Sequence, residues 1–300
     1  MSIFGVSSYF LWTQKGQTVL PLVRGSGFLM EFEQRNTFYS YHVLSAAHVT
    51  CPVKHRKLYG DTIGLKAIGE RHISTRLLMP DEVTHKVLSS FELEFRQHCM
   101  PNADVASLRL HREKEFMEAM QLPKANCTGA ASPLQVIEPD LDRIDEGDHL
   151  ILCGVHTEEE RANANDDGLT LIPMRLAATC KAALVSLDYG TVLLASIDGL
   201  AEEARQCAGA ASASGHVQVP PLPLSMCGGP VLRRSSGKCV GVIAARVMKN
   251  APPRDPHSAS LYQDPYLDIS EHVALHAYWP LDVAFVPIGE FHDPLRRCEV

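Results

Sequence analysis

The sequence contains no C-x-x-C pair, no apolar run near the roughly 20 residues of a membrane-spanning helix, and no surplus of positive charge. Each absence removes a class of function. Without paired cysteines, a zinc knuckle or ribbon is excluded as a framework, and no other metal or cofactor signature is present. Lys and Arg number 28 against 35 Asp and Glu, a formal net charge of −7, which argues against a broad phosphate-binding surface and gives no direct nucleic-acid signal. The opening "MSIFGVSSYFLWTQKGQ" lacks a basic leader and a small-residue cleavage site. It therefore reads as a first strand around "SSYFLWTQ", with a short organelle presequence as the alternative.

What is present is ordinary in bulk and specific in detail. Hydrophobic residues make up 45% and charged residues 21% of 300, the balance of a globular chain long enough for one large domain or two small ones. The nine cysteines (51, 99, 127, 153, 180, 207, 227, 239 and 298) are scattered and odd in number. Together with the opening segment, they point to reduced thiols in an intracellular compartment, cytoplasmic or organellar (mitochondrial included), rather than to secretion.

Short strand-like segments dominate the chain. They are "TVLPLVRGSGFLMEF", "TFYSYHVLSAAHV", "ADVASLRL", "DHLILCGVH", "LTLIPMRLAATC", "AALVSLDYG", "TVLLASI", "GPVLRR", "KCVGVIAARV" and "DVAFVPIGEF". Helical patterns are confined to 112–122 and 200–210. Many strands and little helix predict an all-β sandwich or barrel. The turn-rich stretch 126–147 reads as a linker between an N-terminal unit (1–125) and a C-terminal unit (148–292), with 293–300 as a tail. Segments 80–100, 155–168 and 200–222 read as insertions available to partners.

Three segments carry chemistry. "LSAAHV" ends a predicted strand at His48, "DVASLRL" opens one at Asp104, and "SMCGGPVL" sets Cys227 before two glycines and a proline. Adjacent glycines permit a sharp turn and close approach of another chain. Taken singly, His48 and Asp104 are unremarkable, and Cys227 could be a nucleophile, a metal ligand or a small buried hydrophobe. A catalytic cysteine needs a base and a group to orient that base, and this chain offers all three.

In this order the segments resemble the signatures of chymotrypsin-like proteases: T/S-A-A-H, D-[IV]-A-x-L-x-L and G-[DN]-S-G-G-P. The similarity looks closest to the disulfide-free HtrA-type branch. "RGSGFLM", "EGDHLILCGV", "GKCVGVIAA" and "VAFVPIGEF" are similar to its flanking strands. No PDZ module is expected, because the sequence ends near the point where that module begins.

The resemblance implies two antiparallel six-stranded β-barrels with short helical insertions and a site in the crevice between them. It implies His48 as general base, Asp104 as its orienting carboxylate and Cys227 as nucleophile, with the backbone amides of Ser225 and Cys227 forming the oxyanion hole. Pro221, Ala244, Ala245 and Arg246 fall where the family's substrate pocket is lined; Arg246 would favour an acidic group or block the subsite, with a solvated surface position as the alternative. The implied partner is a peptide or protein substrate.

Two departures count against catalysis. Ser225 stands where the family has glycine, and losing one oxyanion donor costs about 3–4 kcal/mol. Met226 replaces the polar residue beside the nucleophile. Against this, a thiol is a capable nucleophile beside an imidazolium. The alternative function is therefore a catalytically impaired protease-fold subunit or scaffold within a protein complex.

Overall fold

The computed structural model describes residues 3–12, 18–32, 40–55, 58, 69–94, 103–121, 136–158, 166, 168–200, 222–249 and 266–297. The first sheet comprises β1 (Ile3–Trp12), β2 (Thr18–Phe32), β3 (Ser40–Ser45), β4 (Ile73–Pro80), β5 (Val87–Glu94) and β6 (Ala106–Leu110). All pairings are antiparallel, and the order β1-β2-β3-β6-β5-β4 closes on itself. The second sheet comprises β7 (His149–Glu158), β8 (Thr170–Ser186), β9 (Gly190–Ile197), β10 (Pro230–Arg233), β11 (Cys239–Met248), β12 (Tyr266–Asp268) and β13 (Val283–Pro287). Its order β10-β7-β8-β9-β13-β11 returns to β10, while β12 adds parallel to the β11 edge. The chain is thus all-β with two antiparallel six-stranded rings, the chymotrypsin-type double barrel.

Local chemistry explains several details. Opposite Pro21 the β1–β2 register shifts between Ser8 and Tyr9, because a proline has no N–H to give the ladder and the strand bulges there. The expected segments 169–180 and 182–190 are instead one strand, β8, with an irregularity at Cys180–Ala182. Three strands, β4, β5 and β12, were not expected; residues 87–94, read from sequence as part of an insertion, close the first ring. The expected helix over 112–122 forms as α2 (Glu113–Gln121), following the short α1 (Ala47–Thr50), and α3 (His292–Arg297) ends the described chain. Beyond Leu200, the second expected helix lies outside the described residues, as does most of the segment 200–222.

The barrels are joined through backbone. Val87 N donates to Leu169 O (3.0 Å) and Leu171 N to His85 O (2.8 Å), so the β4–β5 turn zips onto the start of β8. Leu171 fills the space over Gly5, where a Cβ would lie 2.9 Å from its Cδ1. Ala103 bridges Gly190, tying the segment before β6 to the β8–β9 hairpin. On the far side Arg233 reaches back to the interbarrel stretch, bonding Asp140 (2.9 Å) and Asp148 (2.5 Å).

The tightest seam is at Ser26, flanked by Gly25 and Gly27. Its amide donates to Cys227 O (2.8 Å), its hydroxyl donates to Ser225 O (2.6 Å), and that hydroxyl accepts from Val155 N (2.8 Å). Its carbonyl accepts from Ser45 Oγ (2.7 Å). A side chain on Gly25 would meet Cys227 O at 2.7 Å, so this approach requires glycine. Ser26→Ala leaves a buried amide and a buried carbonyl without that partner, and each such group costs about 1–3 kcal/mol. We expect the variant to lose about 2 kcal/mol or more of unfolding free energy in denaturant titration. A loss below about 0.5 kcal/mol, the scale of neutral surface changes, would contradict the assigned seam.

Candidate active site

His48 sits on α1, a single four-residue turn that follows β3, and not at a strand end as the sequence suggested. Asp104 lies just before β6 and holds this turn at two points. Its Oδ1 accepts from the His48 amide (2.9 Å), and its Oδ2 bonds the ring at Nδ1 (2.6 Å). Ala47 N also donates to the Asp104 carbonyl (3.3 Å). One carboxylate therefore fixes both the position of the helical turn and the orientation of the ring. With Nδ1 occupied by Asp104, the buried Nε2 is the ring's remaining polar atom, and Cys227 is close enough to contribute to raising the imidazole pKa.

Cys227 follows a 3₁₀ turn, Leu224–Met226. Behind it, Gly228 has φ of +89°, and a Cβ there would meet Ser26 O and Ser45 Oγ at 2.3 Å. A Cβ on Gly229 would lie 2.0 Å from Cys153 O. The two glycines that raised the question in the sequence are thus imposed by packing against both barrels. His48, Asp104 and Cys227 are each 1% exposed, so all three residues are closed to solvent.

The backbone around the thiol is fully engaged. Met226 N donates to Pro223 O, Cys227 N to Leu224 O, Gly228 N to Ile243 O and Gly229 N to Met226 O, at 2.7–3.0 Å. The expected oxyanion donor at Cys227 is therefore turned onto the carbonyl three residues back, the ordinary geometry of a 3₁₀ turn. At the other expected donor position, Ser225 is held from both sides: its carbonyl accepts from Ser26 Oγ (2.6 Å) and its Oγ from Thr157 N (3.2 Å). Met226 is completely buried and packs with Val231, Ile243 and Phe285, an apolar role for the position where the family carries a polar residue.

Of the pocket candidates, Pro221 lies outside the described residues. Ala244 and Ala245 are on β11 and fully buried. Arg246 follows them, opposite Val283 on β13 and Tyr266 on β12. Sequence reasoning missed Ser26 and His55. Ser26 carries no local signal beyond its flanking glycines. His55 closes the 3₁₀ turn after α1, where burial lowers its pKa despite the pull of Asp104. Among the described residues, no group of three or more His, Cys, Asp or Glu side chains is placed to hold a metal ion.

No family model matches the chain, and no curated protein does. Solved structures similar to it include the Rv3671c protease of M. tuberculosis in an inactive form, at 12% identity and TM-score 0.43 over 98% of this chain and 85% of that one. A second inactive form of Rv3671c shows 14% identity and TM-score 0.39, over 92% and 88% of the two chains. Kallikrein-related peptidase 10 shows 12% and 0.42, over 98% and 94%. Likenesses this remote carry no residue roles, which rest on the geometry above.

The electrostatics of the pair are one-sided. Burial penalises a charged His48, but the Asp104 carboxylate and its hydrogen bond, with a smaller contribution from Cys227, outweigh that penalty and lift the imidazole to about 10. Because the folded value is raised, the stabilisation is fully present below the ordinary value of 6.5 and is lost as pH rises through about 10. We expect imidazole NMR to show His48 still protonated at pH 8, and Asp104→Ala to bring its midpoint to 6.5 or below, where burial acts unopposed. A wild-type midpoint near 6.5 would contradict the assignment.

Proposed function

We propose that the chain is a cysteine endopeptidase of the chymotrypsin-like fold, described here in a latent form. Cys227 attacks the scissile carbonyl, His48 shuttles the proton to the leaving amine, and Asp104 orients the imidazole and supports its charge. The observation that carries this reading is the double hold of Asp104 on His48, at 2.9 Å to the amide and 2.6 Å to the ring, with Cys227 close enough to help raise the imidazole pKa. A buried carboxylate spent on aiming one imidazole at one sulfur has no evident purpose in packing. The substrate class is a peptide or protein chain. The free thiols Cys51, Cys153, Cys180 and Cys239 alongside Cys227 fit a reducing compartment.

Latency follows from the turn before the nucleophile. With Cys227 N bonded to Leu224 O (2.9 Å), a developing oxyanion would meet a carbonyl rather than a donor. Turning over the Leu224–Ser225 peptide would withdraw that carbonyl and free the amide. One oxyanion donor is worth about 10²–10³ in rate, so this rearrangement sets whether the thiol's nucleophilicity is used. A second reading, a non-catalytic protease-fold subunit of a larger assembly, draws on the same bond and on the closure of the site.

Hydrolysis of an internally quenched peptide library separates the two. Wild type is expected to cleave slowly and Cys227→Ala not at all. Ser225→Gly removes the Cβ and the Thr157 tie, and should raise kcat by about tenfold or more by easing the peptide turn. No cleavage by either wild type or Ser225→Gly would favour the subunit reading. Turnover unchanged by Ser225→Gly would show that the turn is not what limits the rate.

A further inference from the structure

The proposed reaction leaves one charged group near Cys227 unexplained. β11 is clamped to the nucleophile turn at Ile243, whose carbonyl accepts from Gly228 N (2.7 Å) and whose amide donates to Gly229 O (2.9 Å). Three residues further on stands Arg246. The β11–β13 register pairs Ile243 with Phe285, then Ala245 with Ala284 and Arg246 with Val283, shifting by one between the first two pairs. Directly paired residues share a face of the sheet, so Arg246 lies on the face of Val283. Val283, Phe285 and Ile243 pack in one cluster with Leu222, Met226 and Cys227. Because of that shift, the guanidinium stem is directed to the nucleophile's side of the sheet. Ala244 and Ala245, between clamp and arginine, add almost no side-chain bulk.

The guanidinium also lacks, among the described residues, the carboxylate that three other partly buried arginines possess. Arg24 meets Asp166 at 3.2 Å, Arg76 meets it at 3.9 Å, and Arg233 meets Asp140 at 2.9 Å. Among the described residues Arg246 meets Met248 Sδ at 3.9 Å, a weak acceptor, and its Nε is buried with no hydrogen-bond partner. On β12, Asp268 is exposed, and its Oδ1 accepts from Ser270 N. Buried N–H groups are nearly always satisfied, and an orphan one calls for an absent partner. For a planar guanidinium the matching partner is a carboxylate, bound through paired hydrogen bonds.

Resting on the reading of Cys227 as the nucleophile, we propose that Arg246 selects substrates carrying aspartate or glutamate at or next to the residue whose carbonyl is attacked. Three residues of strand separate Arg246 from Ile243, about 10 Å along β11. An acidic side chain and the arginine side chain bridge that interval together. At the far end β12 already pairs with Arg246–Met248, so an extended peptide has no free β11 edge beyond this point. Recognition is thereby concentrated on the residues nearest the reacting bond.

The test uses Cys227→Ala, which removes the reacting sulfur, and fluorescein-labelled Ala/Ser octapeptides carrying one Glu, Gln or Lys at each position in turn. Fluorescence anisotropy should show a Glu peptide binding about tenfold tighter than its Gln counterpart. Adding Arg246→Gln should erase that difference, and Arg246→Glu should transfer the preference to Lys. Equal binding of Glu and Gln peptides, or a preference that survives Arg246→Gln, would overturn the proposal. Cleavage of the same peptides by wild type reports separately on the nucleophile. Arg246-dependent binding without cleavage would refute the endopeptidase reading and leave the acidic preference standing.

Discussion

The site depends on the approach of two backbones at Ser26. One residue of β2 bonds the carbonyls of Ser225 and Cys227, receives the amide of Val155, and is itself held by Ser45. Removing any of these contacts would leave buried polar groups unsatisfied on both sides of the seam. The seam sets how far the sulfur, carried by the second barrel, stands from the imidazole carried by the first. The glycines at 25, 228 and 229 are there because no side chain fits between the approaching chains.

A closed site and an aimed imidazole are compatible if the nucleophile turn has two arrangements. In the one described, the Cys227 amide and the Leu224 carbonyl satisfy each other, which spares the buried Cys227 amide the cost of lacking a partner. A bound peptide whose developing oxyanion needs the amide would compensate for breaking that bond. Ser225 is tied to Ser26 Oγ and Thr157 N, and Met226 sits within the apolar cluster. On the proposed reading, these two departures from the pattern that the sequence resembles would bear on when the site opens, while the hydrogen-bonded pair of His48 and Asp104 is left intact.

Much of this was legible in the residues. The run "TVLPLVRGSGFLMEF" coincides with β2 from Thr18 to Phe32, and His48 and Asp104, 56 positions apart, are hydrogen-bonded. What was not legible is tertiary. β4 and β5 are recognisable only when the first ring must close, since their alternation is broken by charge and turn residues. α1 is too short for a helical period to show, and β8 looked like two strands because its register slips near Lys181. Nothing local to Ser26 announces four hydrogen bonds, two of them to Ser225 and Cys227, the former 199 positions along the chain. Nor does the text of "PLSMCGG" state which way the Cys227 amide points.

The central claim is that the imidazole of His48 activates the sulfur of Cys227. Its most direct test is the rate of Cys227 alkylation by iodoacetamide in the folded protein, followed by peptide mass spectrometry. The account predicts that Cys227 reacts faster than the equally buried Cys51, Cys153, Cys180 and Cys239, and that His48→Ala slows it by about tenfold or more. Uniformly slow reaction at all five, unaffected by His48→Ala, would contradict it.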